Sequence, residues 1–181
     1  VPPYNASNSS CRIYVRRAGL LGAVGHDLAL QATDYIIDVD EANMHVRAEF
    51  SASSLRVIEA VEGRQLRPGR LSSADKAQIE RNIAEQVLEA ARYPKIAFRT
   101  ANITPGAGGY RMSGTLSLHG HERAIEVVAQ RRPNAGFESD VVLQQPDFGI
   151  RPFRALAGTL RVRPELLVCI ELPPPPPERQ P

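Results

Sequence analysis

Four residues of this chain have side chains and spacings suited to acid–base or metal chemistry. They are His26 and Asp27, adjacent after Gly25, and His119 and His121, two apart around Gly120. A histidine beside a carboxylate can move a proton near neutral pH. Adjacent residues of an extended strand point to opposite faces, however, so His26 and Asp27 form a dyad only if the turn twists them. No Gly-x-Ser-x-Gly elbow accompanies them, and no nucleophile is set nearby in sequence. The simpler expectation is that one of the pair bonds turn backbone beside the glycines. His119 and His121 could reach one metal, but a structural site normally takes four ligands. His26 or Glu122 would join them only through tertiary contact, so the two are expected as exposed turn residues. His45, on the polar face of its strand, is expected in solvent.

Cys11 and Cys169 are the two cysteines, and nothing near them has metal-ligand spacing. Cys11 shares strand parity with Ile13 and Val15, whereas Cys169 lies opposite in parity to Val168 and Ile170. Buried free thiols are therefore expected, unless a bulge resets one strand.

The elements that must position these residues follow from hydrophobic periodicity. Tyr93–His119 reads as a helix stop at Tyr93-Pro94, then two alternating runs, Lys95–Thr104 and Tyr110–His119, joined by Pro105–Gly109. In the first, Ile96 and Phe98 point one way and Lys95 and Arg99 the other. Further strands are expected at Arg12–Arg17, Leu28 to about Asp40, Met44–Ala52, Arg123–Arg131, Phe137–Gln145 and Glu165–Leu172. Residues 53–71 are hard to place: Leu55, Val57 and Ile58 could begin a short strand, with loop beyond Gly63. Ser72 resembles an N-cap with Asp75 as capping-box partner, and Ile79, Ile83, Val87, Leu88 and Ala91 line one face of a helix over Ala74–Arg92. The expected domain plan is a loose arm over 1–10, one β domain over 11–172 and a proline-rich tail over 173–181.

At 181 residues, with 43% apolar and 23% charged residues, the chain suits one globular domain. A net charge of +2, with bases scattered among acids, gives no nucleic-acid footprint. No run approaches the roughly 18 apolar residues of a membrane-spanning helix. Cytoplasmic residence is expected if Val1 follows the start Met, and periplasmic residence if a leader was removed.

Four motifs, taken in order, resemble a known family. They are Gly25-His26-Asp27-Leu28; the helix ending in Tyr93-Pro94 with Ile96 and Phe98 after it; Gly114-Thr115-Leu116-Ser117-Leu118-His119-Gly120; and Asp147-Phe148-Gly149-Ile150. Together they are similar to the YceI-like family, lipocalin-like bacterial proteins described as polyisoprenoid-binding. The resemblance spans roughly residues 11–172. It implies an eight-stranded antiparallel lipocalin-like barrel, one amphipathic helix beside or over an opening, and an apolar ligand within.

Whether such a barrel is hollow depends on its inward residues, since eight strands enclose either side chains or one small ligand. Here those residues are mostly of medium or small size. Three readings follow. The first is a non-enzymatic binder or carrier of an isoprenoid or fatty chain, needing no cofactor, with Phe50, Ile96, Phe98, Leu116, Leu118 and Phe148 as wall and His26 and Arg99 at the mouth. The second is a metal-dependent or acid–base enzyme using His26, Asp27, His119 and His121. The third is a solid-core structural or interaction module. A homodimer is compatible with all three.

Overall fold

The computed structural model describes residues 3–18, 26–155 and 160–174. The glycine-rich turn at 19–25 and the tail beyond Pro174 lie outside the described residues.

One antiparallel sheet dominates. Its early strands are β1 (Tyr4–Asn5), β2 (Ser10–Ala18), β3 (Asp27–Ala32), β4 (Tyr35–Asp40), β5 (His45–Ser51), β6 (Leu55–Glu62) and β7 (Gln65–Leu66). The later ones are β8 (Lys95–Gly106), β9 (Gly109–Leu118), β10 (His121–Arg131), β11 (Phe137–Gln144), β12 (Arg154–Ala155) and β13 (Leu160–Leu172). The spatial order is β1-β4-β5-β8-β9-β10-β11-β13-β2-β3-β6-β7, with β12 on the flank of β13. The eight-stranded closed barrel expected from the sequence is thus corrected to thirteen strands among the described residues, in a ladder ending at β1 and β7 without returning on itself. The sheet nevertheless curls, because inward side chains from β2 to β13 line a single cavity.

The extra strands have local causes. The single strand expected from Leu28 to Asp40 breaks at Thr33-Asp34. There the Thr33 backbone N–H and hydroxyl both donate to the Ser54 carbonyl, at 3.2 and 2.8 Å, and Ser51 N–H donates to the Asp34 carbonyl at 3.0 Å. The chain turns a corner, sending β3 to β2 and β6, and β4 to β1 and β5. Residues 55–62 become a full strand, but the pairing jumps from Leu30↔Val57 to Ala29↔Glu59, leaving Ile58 as a bulge that switches parity. The arm expected over 1–10 is docked from Tyr4 onward. Tyr4 pairs with Ile37, is 7% exposed, and donates its hydroxyl to the Pro173 carbonyl at 3.2 Å.

The capping box expected at Ser72 is present: Asp75 N–H donates to Ser72 Oγ at 3.1 Å and Ser72 N–H to the Asp75 carboxylate at 2.9 Å. The helix is shorter than its apolar stripe suggests. Helix α1 covers Ser73–Asn82, about 15 Å at 1.5 Å per residue. A π-helical turn, Ile83–Val87, carries the chain on.

One junction of the sheet is thin. β9 and β10 pair along ten positions, from His121↔Leu118 to Gln130↔Gly109, but β10 and β11 pair only at Gln130↔Glu138 and Arg131↔Phe137. Above these the two strands splay, bridged by the Ser139 hydroxyl donating to the Val128 carbonyl at 2.9 Å. Val128 and Val142, both exposed, flank the splay on the outer surface.

Candidate functional site

The interior is hollow. Alternation in β2, β3, β5, β8, β9, β11 and β13 turns one side of each strand inward, and these sides enclose a cavity of ≈ 400 Å³. Midway along the cavity the wall is Ile13, Leu30, Ala48, Val127, Val141 and Val168, all short or branched. Their modest size leaves the volume unfilled. Toward the helix the wall gains Phe50, Ile96, Phe98 and Leu116, with Leu71, Ile79, Ile83 and Val87 contributed by the helical segment and its approach. At the other end stand Phe137 and Leu172, register partners on β11 and β13, with Phe137 ringed by Tyr110 at 5.7 Å and by the Arg131 guanidinium at 4.8 Å.

The residues singled out from sequence divide into three groups. Phe50, Ile96, Phe98, Leu116 and Leu118 lie on the cavity wall. His26 lies at its rim, exposed, just before β3. Phe148 and Arg99 are elsewhere. Phe148, 2% exposed, packs behind the wall with Ala52, Leu88, Leu116, Leu118 and Ile150. Arg99 is on the outer face, 3.8 Å from Glu122, because strand parity sets it opposite Phe98.

The groups proposed for chemistry are divided between two places, His26 and Asp27 at the start of β3 and His119 and His121 at the β9–β10 turn. The Asp27 carboxylate accepts the Arg17 backbone N–H at 2.9 Å, as the turn-bonding expectation has it, while His26 turns toward the cavity. Among the described residues, no three His, Cys, Asp or Glu side chains come together in a way that could hold a metal ion.

His119 is 8% exposed rather than an exposed turn residue, which corrects the sequence reading. Its Nε2 lies 2.9 Å from the Glu89 carboxylate and its Nδ1 3.2 Å from the Phe148 carbonyl, so each ring nitrogen faces an acceptor. The Tyr93 ring packs on it at 4.4 Å, and His121 Nδ1 reaches the His119 carbonyl at 2.9 Å. His119 and Glu89 both have left-handed backbone, φ 51 and 44, sparsely populated by such residues and held here by the bonds between their segments. Gly149 closes the knot. At φ +67 it passes so near His121 that a Cβ would sit 2.6 Å from the ring. His45 is also engaged: its Nδ1 is 3.0 Å from the Thr100 hydroxyl.

Cys11 lines the cavity, and burial, followed by the nearby Cys169 thiol, pushes its pKa up to about 12. Cys169 faces away from it, packed by Tyr14, Ala29 and Val61; burial and then its bond to Asp140 push it up to about 12 as well. Both are free, as parity predicts.

Sequence reasoning missed the polar rim. Arg17 and Arg161 line the same end of the cavity as His26. The signal was available for Arg17, which continues the inward parity of Cys11, Ile13 and Val15.

Comparisons agree with this geometry. No curated protein matches the chain. Three solved structures share its fold at low identity. Burkholderia cenocepacia BcnA is 14% identical with a TM-score of 0.67, over 93% of this chain and 97% of that one. A Campylobacter jejuni YceI protein is 16% identical with a TM-score of 0.56, over 86% and 88%. A Saccharophagus degradans domain, described as polyisoprenoid binding and implicated in plant cell wall breakdown, is 12% identical with a TM-score of 0.52, over 94% and 97%. The profile of the YceI-like domain matches residues 5–172, nearly the whole of the curled sheet, and the chain belongs to that family.

Proposed function

We propose that this protein is a non-enzymatic binder or carrier of a long apolar molecule, an isoprenoid or fatty chain, held inside the curled sheet. The observation that carries the proposal is the hollow apolar interior of ≈ 400 Å³. That volume falls within the range of small-molecule sites. Left empty, an apolar void of this size would cost about 10 kcal/mol at ~24 cal/mol per Å³, comparable to the net stability of a whole domain. A chain of about a dozen buried methylenes would return a similar amount before entropic costs. The void therefore calls for an occupant.

Phe50, Ile96, Phe98, Leu116 and Leu118 contact the chain in this reading, and His26 stands where it leaves the cavity. Phe148 acts from behind by holding Leu116 and Leu118 in place, and Arg99 takes no part. A structural neighbour described as polyisoprenoid binding supports the ligand class. Native mass spectrometry of gently extracted protein tests the proposal: a co-purifying lipid, displaceable by a fluorescent fatty acid, is expected. Protein that carries no lipid and binds neither fatty nor prenyl probes would end it.

A further inference from the structure

We infer that the splay between β10 and β11 is a side entrance to the cavity, through which the apolar guest crosses the wall instead of threading in from an end. The inference rests on the proposal that a chain fills the cavity, and it adds the path the chain takes.

Three features of the junction carry it. The first is its lack of a ladder. β10 has eleven residues and β11 eight, yet they share two register pairs, Gln130↔Glu138 and Arg131↔Phe137. Each strand is anchored on its other side, β10 to β9 along ten positions and β11 to β13 along eight. Among the remaining junctions between described strands of six residues or more, even the shortest, β2 with β3, keeps four pairs. The second feature is that the hollow lies directly behind. Ile125, Val127 and Ala129 on one flank and Ser139, Val141 and Leu143 on the other all line it. Phe137, Glu138 and Ser139 line it in succession, where alternation would give only the first and third. The hollow therefore reaches the main chain of β11 where the pairing stops. The third feature is the outer surface, where Val142 is 57% exposed and Val128 38%, one on each strand beside the splay. Apolar side chains thus stand both inside and outside the same gap.

The contacts that close the gap suit an entrance. Beyond the two register pairs it is bridged by the Ser139 hydroxyl, which donates to the Val128 carbonyl at 2.9 Å, and by Val127 and Val141, packed together with Met112. A neutral hydrogen bond is modest in net strength. A hydrocarbon sliding between the two valines replaces the apolar contacts that it parts, so its passage forfeits little dispersion energy. The helical end is fastened differently. Lys76 Nζ donates to the Ile58 carbonyl at 2.9 Å and lies 3.1 Å from Glu59, and the Val57 N–H donates to the Glu80 carboxylate at 2.8 Å. Charge-assisted bonds are the stronger class, so lifting the helix is the costlier way in.

The test is kinetic, because an entrance sets rates and leaves affinity alone. Stopped-flow loading and release of a fluorescent fatty acid are followed on the full chain. Glu126 and Val142 point outward, and the register extended from Gln130↔Glu138 sets them opposite each other, so Glu126→Cys/Val142→Cys can clasp the strands when oxidised. Oxidation is expected to slow loading and release alike by about tenfold and to leave Kd within about twofold, with both rates restored on reduction. Free-thiol counts confirm the clasp. Where the strands stand too far apart to form it, a bulky maleimide on Val142→Cys supplies the block, with the same label on Ile36→Cys, 55% exposed on β4, as control. Ser139→Ala, which removes the bridging bond, should speed both rates by about threefold. Loading at the wild-type rate in the clasped or labelled protein overturns the inference while the chain-binding reading stands. A changed Kd with unchanged loading also overturns it, since the strands would then act only as wall. Wild-type protein that binds neither fatty nor prenyl probes removes the chain-binding reading itself, and this inference with it.

Discussion

The two histidine-bearing regions have opposite designs. Around His119, each polar group has a fixed partner, the backbone takes unusual angles, and a single added methyl at Gly149 would collide with a ring. Around His26, a spacious apolar hollow opens where β2, β3 and β13 come together. The first region ties together the β9–β10 turn, the segment after the π-helical turn and the Gln145–Phe148 turn. The second offers volume. The contrast teaches that a buried histidine beside a carboxylate, a pairing suggestive of chemistry, here joins three chain segments through fixed bonds. The hollow itself is lined by ordinary valines and alanines that are simply too small to fill it, and on the proposed function these carry the binding.

That contrast can be broken at several points. The largest effect is expected for Phe148→Ala, which would cost about 3–5 kcal/mol in urea melts, because its ring is 2% exposed and supports Leu116 and Leu118. His119→Ala should come next, at about 2–3 kcal/mol, by leaving the Phe148 carbonyl without its partner. A loss under about 0.5 kcal/mol there would mean that the knot does not fix shape.

Val168→Phe reverses the pattern. Filling the hollow should change stability by less than about 1.5 kcal/mol yet weaken a fluorescent fatty acid more than about tenfold. A variant that binds as well as wild type would place the ligand elsewhere.

The thiols give a pH signature. Cys11 and Cys169 are neutral in the folded protein, with values raised to about 12. A raised folded value contributes stability that is complete below the unfolded thiol's value of roughly 8.5 and is lost as pH rises through the folded one. Melts from pH 8 upward should therefore show a decline, reduced in Cys11→Ala. Alkylation of Cys11 at pH 8 should require unfolding. The smallest effect is expected for Arg99→Ala, whose ion pair with Glu122 spans 3.8 Å at the surface. Stability should move by less than about 1 kcal/mol and lipid binding not at all.

Much of the wall was legible in the sequence because alternation is a direct readout of which side faces in. Ile96, Phe98, Leu116 and Leu118 were identifiable on that basis alone, and the same parity already set Arg99 outside. What alternation does not announce is a change of parity. Leu28, Leu30 and Ala32 face inward at even positions, whereas Tyr35, Ile37 and Val39 belong to odd ones. The switch at Thr33-Asp34 is the corner that separates β3 from β4. Ile58 does the same in β6 by bulging. The rim was illegible for a different reason. Arg17 and Arg161 are 144 positions apart, and only the pairing of β13 with β2 makes them neighbours.

The splay between β10 and β11 has a mechanical consequence. A tube sewn shut all round can widen only by tearing stitches, whereas one left unsewn along most of a side can spread there while the rest of the fabric holds. On the proposed function, this seam favours adjustment of girth over length, and the container should discriminate among guests by how far they reach more than by how thick they are.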